Sequence, residues 1–296
     1  MKLFYREKGE GTPLLILHGL WGASENWLPV ANRLADRFRV ILPDLRGHGR
    51  SPREPVMDIE TMRDDIRGLI ESLSLHRPPD IAGHSLGGKI AMMLRIASPA
   101  LISKTIIIDV APVTYPPDLF HEHARLLHLA ESLDLSRFPT LQALSAALHA
   151  VPHVVPHAVP RDVPRDVPHV VPHVVPRAVP RAVPHVVPRD EWERQVILKN
   201  VRKSPGGLTW KINLPAIRAH LDHFRGFPSP PIVPPIVPPG GDILFIKASR
   251  SPYIPGLHAI HPIFPAARLV QVDDCGHHLH QEQPGPLASA IRDFLE

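Results

Sequence analysis

The sequence predicts an α/β protein: a mostly parallel sheet flanked by helices, with a helical block inserted between two of its strands. Three observations carry this expectation. Over residues 1–114 short β-branched runs alternate with stretches whose apolar residues recur at helical spacing. From 115 to 227 the strand pattern stops, and from 228 to 296 it resumes with two strand runs and a closing helix. Such alternation builds a parallel sheet, because a parallel pair needs a long crossover that a helix supplies.

The elements follow in order. Residues 3–8 and 13–18 ("PLLILH") read as the first two strands, and a helical pattern covers 24–35 with Ser24 as N-cap. "FRVILPDL" is the next strand, and the loop "RGHGRSPR" follows it. Residues 57–75 place Ile59, Met62, Ile66, Leu69, Ile70 and Leu73 on one helical face. "PDIAGHS" is a strand, "LGGKIAMMLRIAS" a helix and "TIIIDVAP" a strand. Within 115–227 only helical patterns are read, over 118–132, 140–150, 191–203 and 213–224. "DILFIKAS", a helix near 255–261, "ARLVQVDD" and a helix at 284–295 complete the chain. The inserted block reads as a lid over the carboxyl edge of the sheet, where open α/β sheets bind ligands.

Residues 151–190 are ten consecutive four-residue units of the type VPHV, VPRD and VPRA. A proline at every fourth position is incompatible with a helix interior and breaks any sheet ladder, so no regular element is expected there. The recurring His153, His157, His169, His173 and His185 do not make a metal site on such a chain. The shorter "PPIVPPIVPP" at 230–239 reads as a stiff connector.

Bulk composition excludes several classes. No apolar run approaches the ~20 residues that span a bilayer. The amino-terminal "MKLFYREKGEG" lacks a signal-peptide core, and the single Cys275 can form no internal disulfide; both indicate a cytoplasmic protein. Of the formal charge of +4, half comes from 151–190, where five Arg stand against three Asp, so nucleic-acid binding is not expected. "RGHGRS", 46–51, lacks the third Gly of a dinucleotide loop and has Pro52 where the helix should begin.

The chemistry gathers elsewhere. "GHSLG", residues 83–87, matches G-x-S-x-G, follows an expected strand and opens an expected helix, which is the setting of a nucleophile elbow. Ser85 is therefore the candidate nucleophile, and it needs a base. "DDCGHHLH" follows the last strand, and His277, directly after Gly276, is preferred over His278 and His280. Cys275 lacks an elbow of its own. The acid commonly follows the strand after the lid, yet residues 247–255 contain no Asp or Glu. Asp242 precedes that strand, and Asp273 and Asp274 stand too near His277 in the chain. Asp109, closing "TIIID", is left as the acid, one strand earlier than usual. The turn in "LHGLWG" supplies the Leu20 amide, which with the Leu86 amide forms an oxyanion hole. His18 reads as a hydrogen-bonding support beneath that turn.

With these residues placed, the chain resembles an α/β-hydrolase of the YbfF type, a group of small carboxylesterases. The landmarks are "LHGLWG", "PDLRGHGRSPR", "AGHSLGGKIAM", "IIIDVAPVTY", "SPYI" and "GHHLH", which run from about residue 12 to 282. The resemblance implies an acid after the strand preceding the lid, in agreement with Asp109. It also implies hydrolysis of short- to medium-chain acyl esters or thioesters, with no cofactor and no metal. Carbon–carbon bond hydrolysis, perhydrolysis or ligand sensing on the same triad are the alternatives. Two departures stand out: His278 occupies a position that is usually aromatic, such as Trp, and the tetrapeptide array has no family counterpart.

Overall fold

A computed structural model describes residues 1–150, 188, 190–228 and 243–296. Apart from Pro188 and Asp190, the expectations for the tetrapeptide repeat and for the 230–239 connector lie outside the described residues, as does Asp242. The described residues divide into two compact units, Met1–Ala124 with Lys211–Glu296, and Arg125–Trp210.

The first unit is built on a seven-stranded sheet. Its strands are β1 (Tyr5–Lys8), β2 (Thr12–Leu17), β3 (Phe38–Pro43), β4 (Asp80–His84), β5 (Thr105–Ile108), β8 (Ile243–Ala248) and β9 (Arg268–Val272); β6 and β7 belong to the second unit. The spatial order is β1-β3-β2-β4-β5-β8-β9. Only β1 runs antiparallel, against β3; every other pair is parallel. The register pairs Leu17 with Gly83, His84 with Ile108, and Ile108 with Ile246. The segments leaving β2, β4, β5 and β8 therefore emerge side by side at one edge.

Helices cover both faces, as the continuous apolar runs of the central strands require. Leu14, Ile16, Ile106, Ile108, Leu244 and Ile246 lie on one face and pack with α1 (Leu28–Leu34) and α9 (Pro284–Leu295), through Val30, Leu34, Leu287 and Ile291. Alternate residues such as Leu15, Ile107 and Phe245 are equally buried, because α3 (Leu86–Ala97) packs on β2, β4 and β5, with α2 (Ile59–Ser72) against it. The α2 amino terminus is capped by Asp58, whose carboxylate accepts the Thr61 N–H. Ser24, expected as a cap, is instead the first residue of a 3₁₀ turn, and its N–H donates to Asp44. The N-cap position falls to Ala23, whose own N–H donates to the Asn26 side-chain oxygen.

In the second unit, the carboxyl-terminal part of α4 (Pro117–Ser132) joins α5 (Leu141–His149) and α6 (Glu191–Lys199). Arg125 on α4 makes a two-pronged ion pair with Glu193 on α6, at 2.6 and 2.9 Å. The expectation that 115–227 is helical throughout, with a helix over 191–203, is corrected here. The helix stops at Lys199, and a hairpin follows, formed by β6 (Val201–Ser204) and β7 (Gly207–Trp210). The turn is Pro205–Gly206, and Gly207 sits at φ +114, which a side chain rarely adopts. The second unit is also narrower than the expected block, since residues 115–124 and α7 (Leu214–Arg225) belong to the first, as does α8 (Leu279–Glu282) beyond that block. Two hydrogen bonds hold α7 there, Tyr115 N–H to the Arg225 carbonyl and the Arg225 guanidinium to the Tyr115 carbonyl. Among the described residues, no helix is long and apolar enough to cross a membrane.

Candidate active site

Ser85 follows β4 and precedes α3 with φ +52, in the left-handed region. A non-glycine residue is strained there, and such strain collects at functional turns. The turn exists because its flanks carry no Cβ: one on Gly83 would stand 2.2 Å from the Gly87 carbonyl oxygen. The Leu20 turn lies close by, since a Cβ on Gly19 would meet the Ser85 Cβ at 3.1 Å. Among the described residues, neither the Leu20 nor the Leu86 amide has a hydrogen-bond acceptor. His18 is the expected support, its Nδ1–H donating to the Gly19 carbonyl (2.8 Å) and its Nε2 accepting the Leu45 N–H (2.9 Å).

Asp109, one residue beyond β5, also has positive φ, at +51, and its side chain is fully buried. Its N–H donates to the Ile246 carbonyl, which ties the turn to β8. Oδ1 accepts the Ala248 N–H at 3.0 Å, and Oδ2 accepts Nδ1–H of His277 at 2.8 Å. Burial alone would raise this carboxyl's pKa; hydrogen bonds from His277, Ser251 and the Ala248 amide outweigh it and bring the pKa below the usual range. The aspartate is held as an anion facing one imidazole nitrogen, which leaves the other nitrogen, Nε2, as the basic one.

The rival groups are placed elsewhere. His280 is buried and stacks on Trp27, with ring centroids 4.8 Å apart. His278 precedes α8, its ring 5.4 Å from that of His277. Asp273 and Asp274 are exposed, and buried Cys275 donates to the Val272 carbonyl.

Three contributors are not read from the sequence. Tyr253, in "SPYI", lays its ring 4.2 Å from that of His277, and its carbonyl accepts the Tyr115 hydroxyl. His84, the variable residue of the elbow, donates from Nε2 to the His277 carbonyl at 2.8 Å. Burial and then His277 push its pKa down to about 3, so it stays a neutral strut. Lys89, one turn beyond Ser85, gives its protons to the carbonyls of Phe224, Arg225 and Gly226 at the end of α7. Each of these partners is remote in sequence, and only the "SPYI" landmark hinted at any of them.

A narrow cleft opens beside Ser85, lined by Leu20, Phe120, His123, Phe224 and Tyr253 among others. A larger hollow between β9 and α9 contains none of these groups. A serine on a strained elbow, an imidazole fixed by a buried carboxylate and two unengaged amides suit acyl transfer.

A family profile described as "Alpha/beta hydrolase family" matches residues 14–290. The chain belongs to that family. This hydrolase is 29% identical, over 98% of its length and 80% of the relative's, to the sn-1-specific diacylglycerol lipase ABHD11 of Danio rerio. It is 26% identical to Esterase YbfF of Escherichia coli K12, over 96% of its own length and 93% of that protein's. Among solved structures, a marine microorganism esterase superposes with a TM-score of 0.77 at 32% identity, covering 99% of both chains.

Proposed function

We propose that this carboxylic ester hydrolase cleaves short- to medium-chain acyl esters, thioesters included, through an acyl-enzyme on Ser85. His277 Nε2 takes the Ser85 proton as Oγ attacks the ester carbonyl, and Asp109 stabilises the resulting imidazolium. The Leu20 and Leu86 amides receive the oxyanion, aided by the amino terminus of α3. His277 then gives its proton to the departing alcohol or thiol. Water, deprotonated by the same nitrogen, releases the acid. The observation that carries this reading is the 2.8 Å bond between His277 and the buried Asp109, on the sheet edge where Ser85 sits strained. Chemistry of this kind draws on the protein's own groups alone.

The narrow, largely apolar cavity beside Ser85 is assigned to the acyl chain, which favours short and medium chains. A diacylglycerol, the substrate class in the Danio rerio relative's name, carries two acyl chains and is a bulkier ester. Turnover of p-nitrophenyl butanoate, octanoate and palmitate, with butanoyl-CoA as the thioester, tests the assignment. The expected kcat/KM peaks at butanoate or octanoate; palmitate as the best substrate would overturn the assignment.

A further inference from the structure

One side chain of the cavity wall has a use that the acyl-transfer scheme leaves open. His123, on the first turns of α4, is 7% exposed and lines the cavity that contains Ser85. Its ring lies 4.6 Å from that of Phe120. Its Nδ1 is 3.1 Å from Nε1 of Trp21, the residue at φ +66 in the "HGLWG" turn. An indole nitrogen only donates, so Nδ1 must be the acceptor. A neutral imidazole that accepts at Nδ1 carries its proton at Nε2. Neutrality follows from the surroundings: burial, then the nearby His277 and Lys89, push its pKa down to about 3. Among the described residues, this Nε2–H makes no hydrogen bond, and it is not one of the fully buried unpartnered atoms, so it stays accessible at the cavity wall. An accessible, unengaged donor on the wall of a mostly apolar cavity gains a hydrogen bond only when the occupant brings the acceptor.

We propose that His123 is a substrate-binding residue whose Nε2–H donates a hydrogen bond to an oxygen carried along the acyl chain. The preferred acyl groups are then oxygen-bearing ones, with an ether, hydroxyl or keto oxygen, rather than plain alkanoyl chains. This rests on the assignment of the cavity beside Ser85 to the acyl chain. A neutral donor suits an uncharged oxygen. A carboxylate would have to enter without a counter-charge, because Lys89 already donates to three carbonyl oxygens.

Oxa-isosteres of one ester test this. In p-nitrophenyl butanoate and methoxyacetate, and in hexanoates with an ether oxygen at successive positions, one oxygen replaces one methylene at nearly constant shape. Intrinsic reactivity cancels when the oxa-to-alkyl ratio of kcat/KM is compared between wild type and His123→Phe. At one oxygen position the wild-type ratio should exceed the variant's by about 3- to 10-fold, the worth of one neutral hydrogen bond. His123→Gln, which keeps an N–H donor, should recover part of the difference. In the wild type, ¹⁵N NMR should show His123 as the neutral Nε2–H tautomer, and this reading does not depend on any variant folding. Equal ratios at every oxygen position, or an Nδ1–H tautomer, overturn the proposal. Should Ser85→Ala keep its turnover, the acyl-enzyme reading itself has failed, which is a separate outcome.

Discussion

Two loops leave the same sheet, both rich in histidine and glycine, and they are put to opposite uses. After β3, the loop of Asp44 to Ser51 satisfies most of its polar groups internally, although Nε2 of buried His48 has no partner. The Asp44 carboxylate accepts the Ser24 and Arg50 amides, and Gly49, at φ +56, leaves room for it. His48 donates to the Arg46 carbonyl, and the Arg46 guanidinium grips Asp65 at 2.5 and 2.9 Å. After β9, the loop of Asp273 to His280 holds His277 by one nitrogen only, against Asp109. One unpartnered nitrogen therefore does not separate the two loops: that of His48 is sealed in, whereas His277 is partly exposed and backed by the buried Asp109, and the proposed chemistry needs both features.

The sharpest way to break this contrast is at Ser85 and His277. Ser85→Ala or His277→Ala should lower kcat by about 10⁶-fold, since triad members act as a unit. The double variant should be little worse than either single one. Steady-state rates on butanoate esters check this; additive losses would separate the two residues into independent roles. Asp109→Asn comes next, with a fall of about 10⁴-fold from an amide that favours the wrong imidazole tautomer. The same change at exposed Asp273 or Asp274 should leave kcat within a few-fold, and the reverse pattern would move the acid.

Legibility followed the same division. Asp109 could be read from "TIIID" because a β-branched run that closes on a carboxylate marks a strand end, and the parallel sheet fixes which edge that is. The turns that carry Ser85 and His277, the proposed nucleophile and base, were legible through the glycines beside them. The β6–β7 hairpin was not: "VRKS" and "GLTW" are too short for periodicity to distinguish strand from helix, although "SPGG" between them is a turn signal. Tyr253, His84 and His123 were hidden for another reason. Their roles come from partners far along the chain, His277 for the first two and Trp21 for the third. No local pattern encodes such pairings.

The loop after β3 should respond in stability rather than in rate. Asp65→Asn leaves the buried Arg46 guanidinium poorly compensated and should cost about 3 kcal/mol, in the range for breaking a buried ion pair. Urea denaturation measures the loss, and kcat should stay within a few-fold. A large fall in kcat with unchanged stability would mean that this loop belongs to the chemistry after all.

The smallest effect concerns pH. Burial, more than any other influence, pushes His48, His84 and His123 from 6.5 down to about 3. The unfolded chain therefore binds protons that the folded chain refuses. Stability is complete above pH 6.5, falls as the pH drops through the unfolded value, and levels off only near pH 3. Well inside that window each histidine should contribute a slope of about 1 kcal/mol per pH unit. His48→Asn, which keeps a donor for the Arg46 carbonyl, should remove about one histidine's share, read from denaturation midpoints across the window. An unchanged slope would show that His48 titrates normally.

The central claim is that one serine, strained on its elbow and served by the His277–Asp109 pair, carries the acyl group. Peptide-level mass spectrometry after treatment with a fluorophosphonate tests it most directly. The adduct should fall on Ser85 alone, and its rate of formation should collapse in His277→Ala while the fold persists by circular dichroism. An adduct on another residue, or undiminished labelling of Ser85 without His277, would contradict the account.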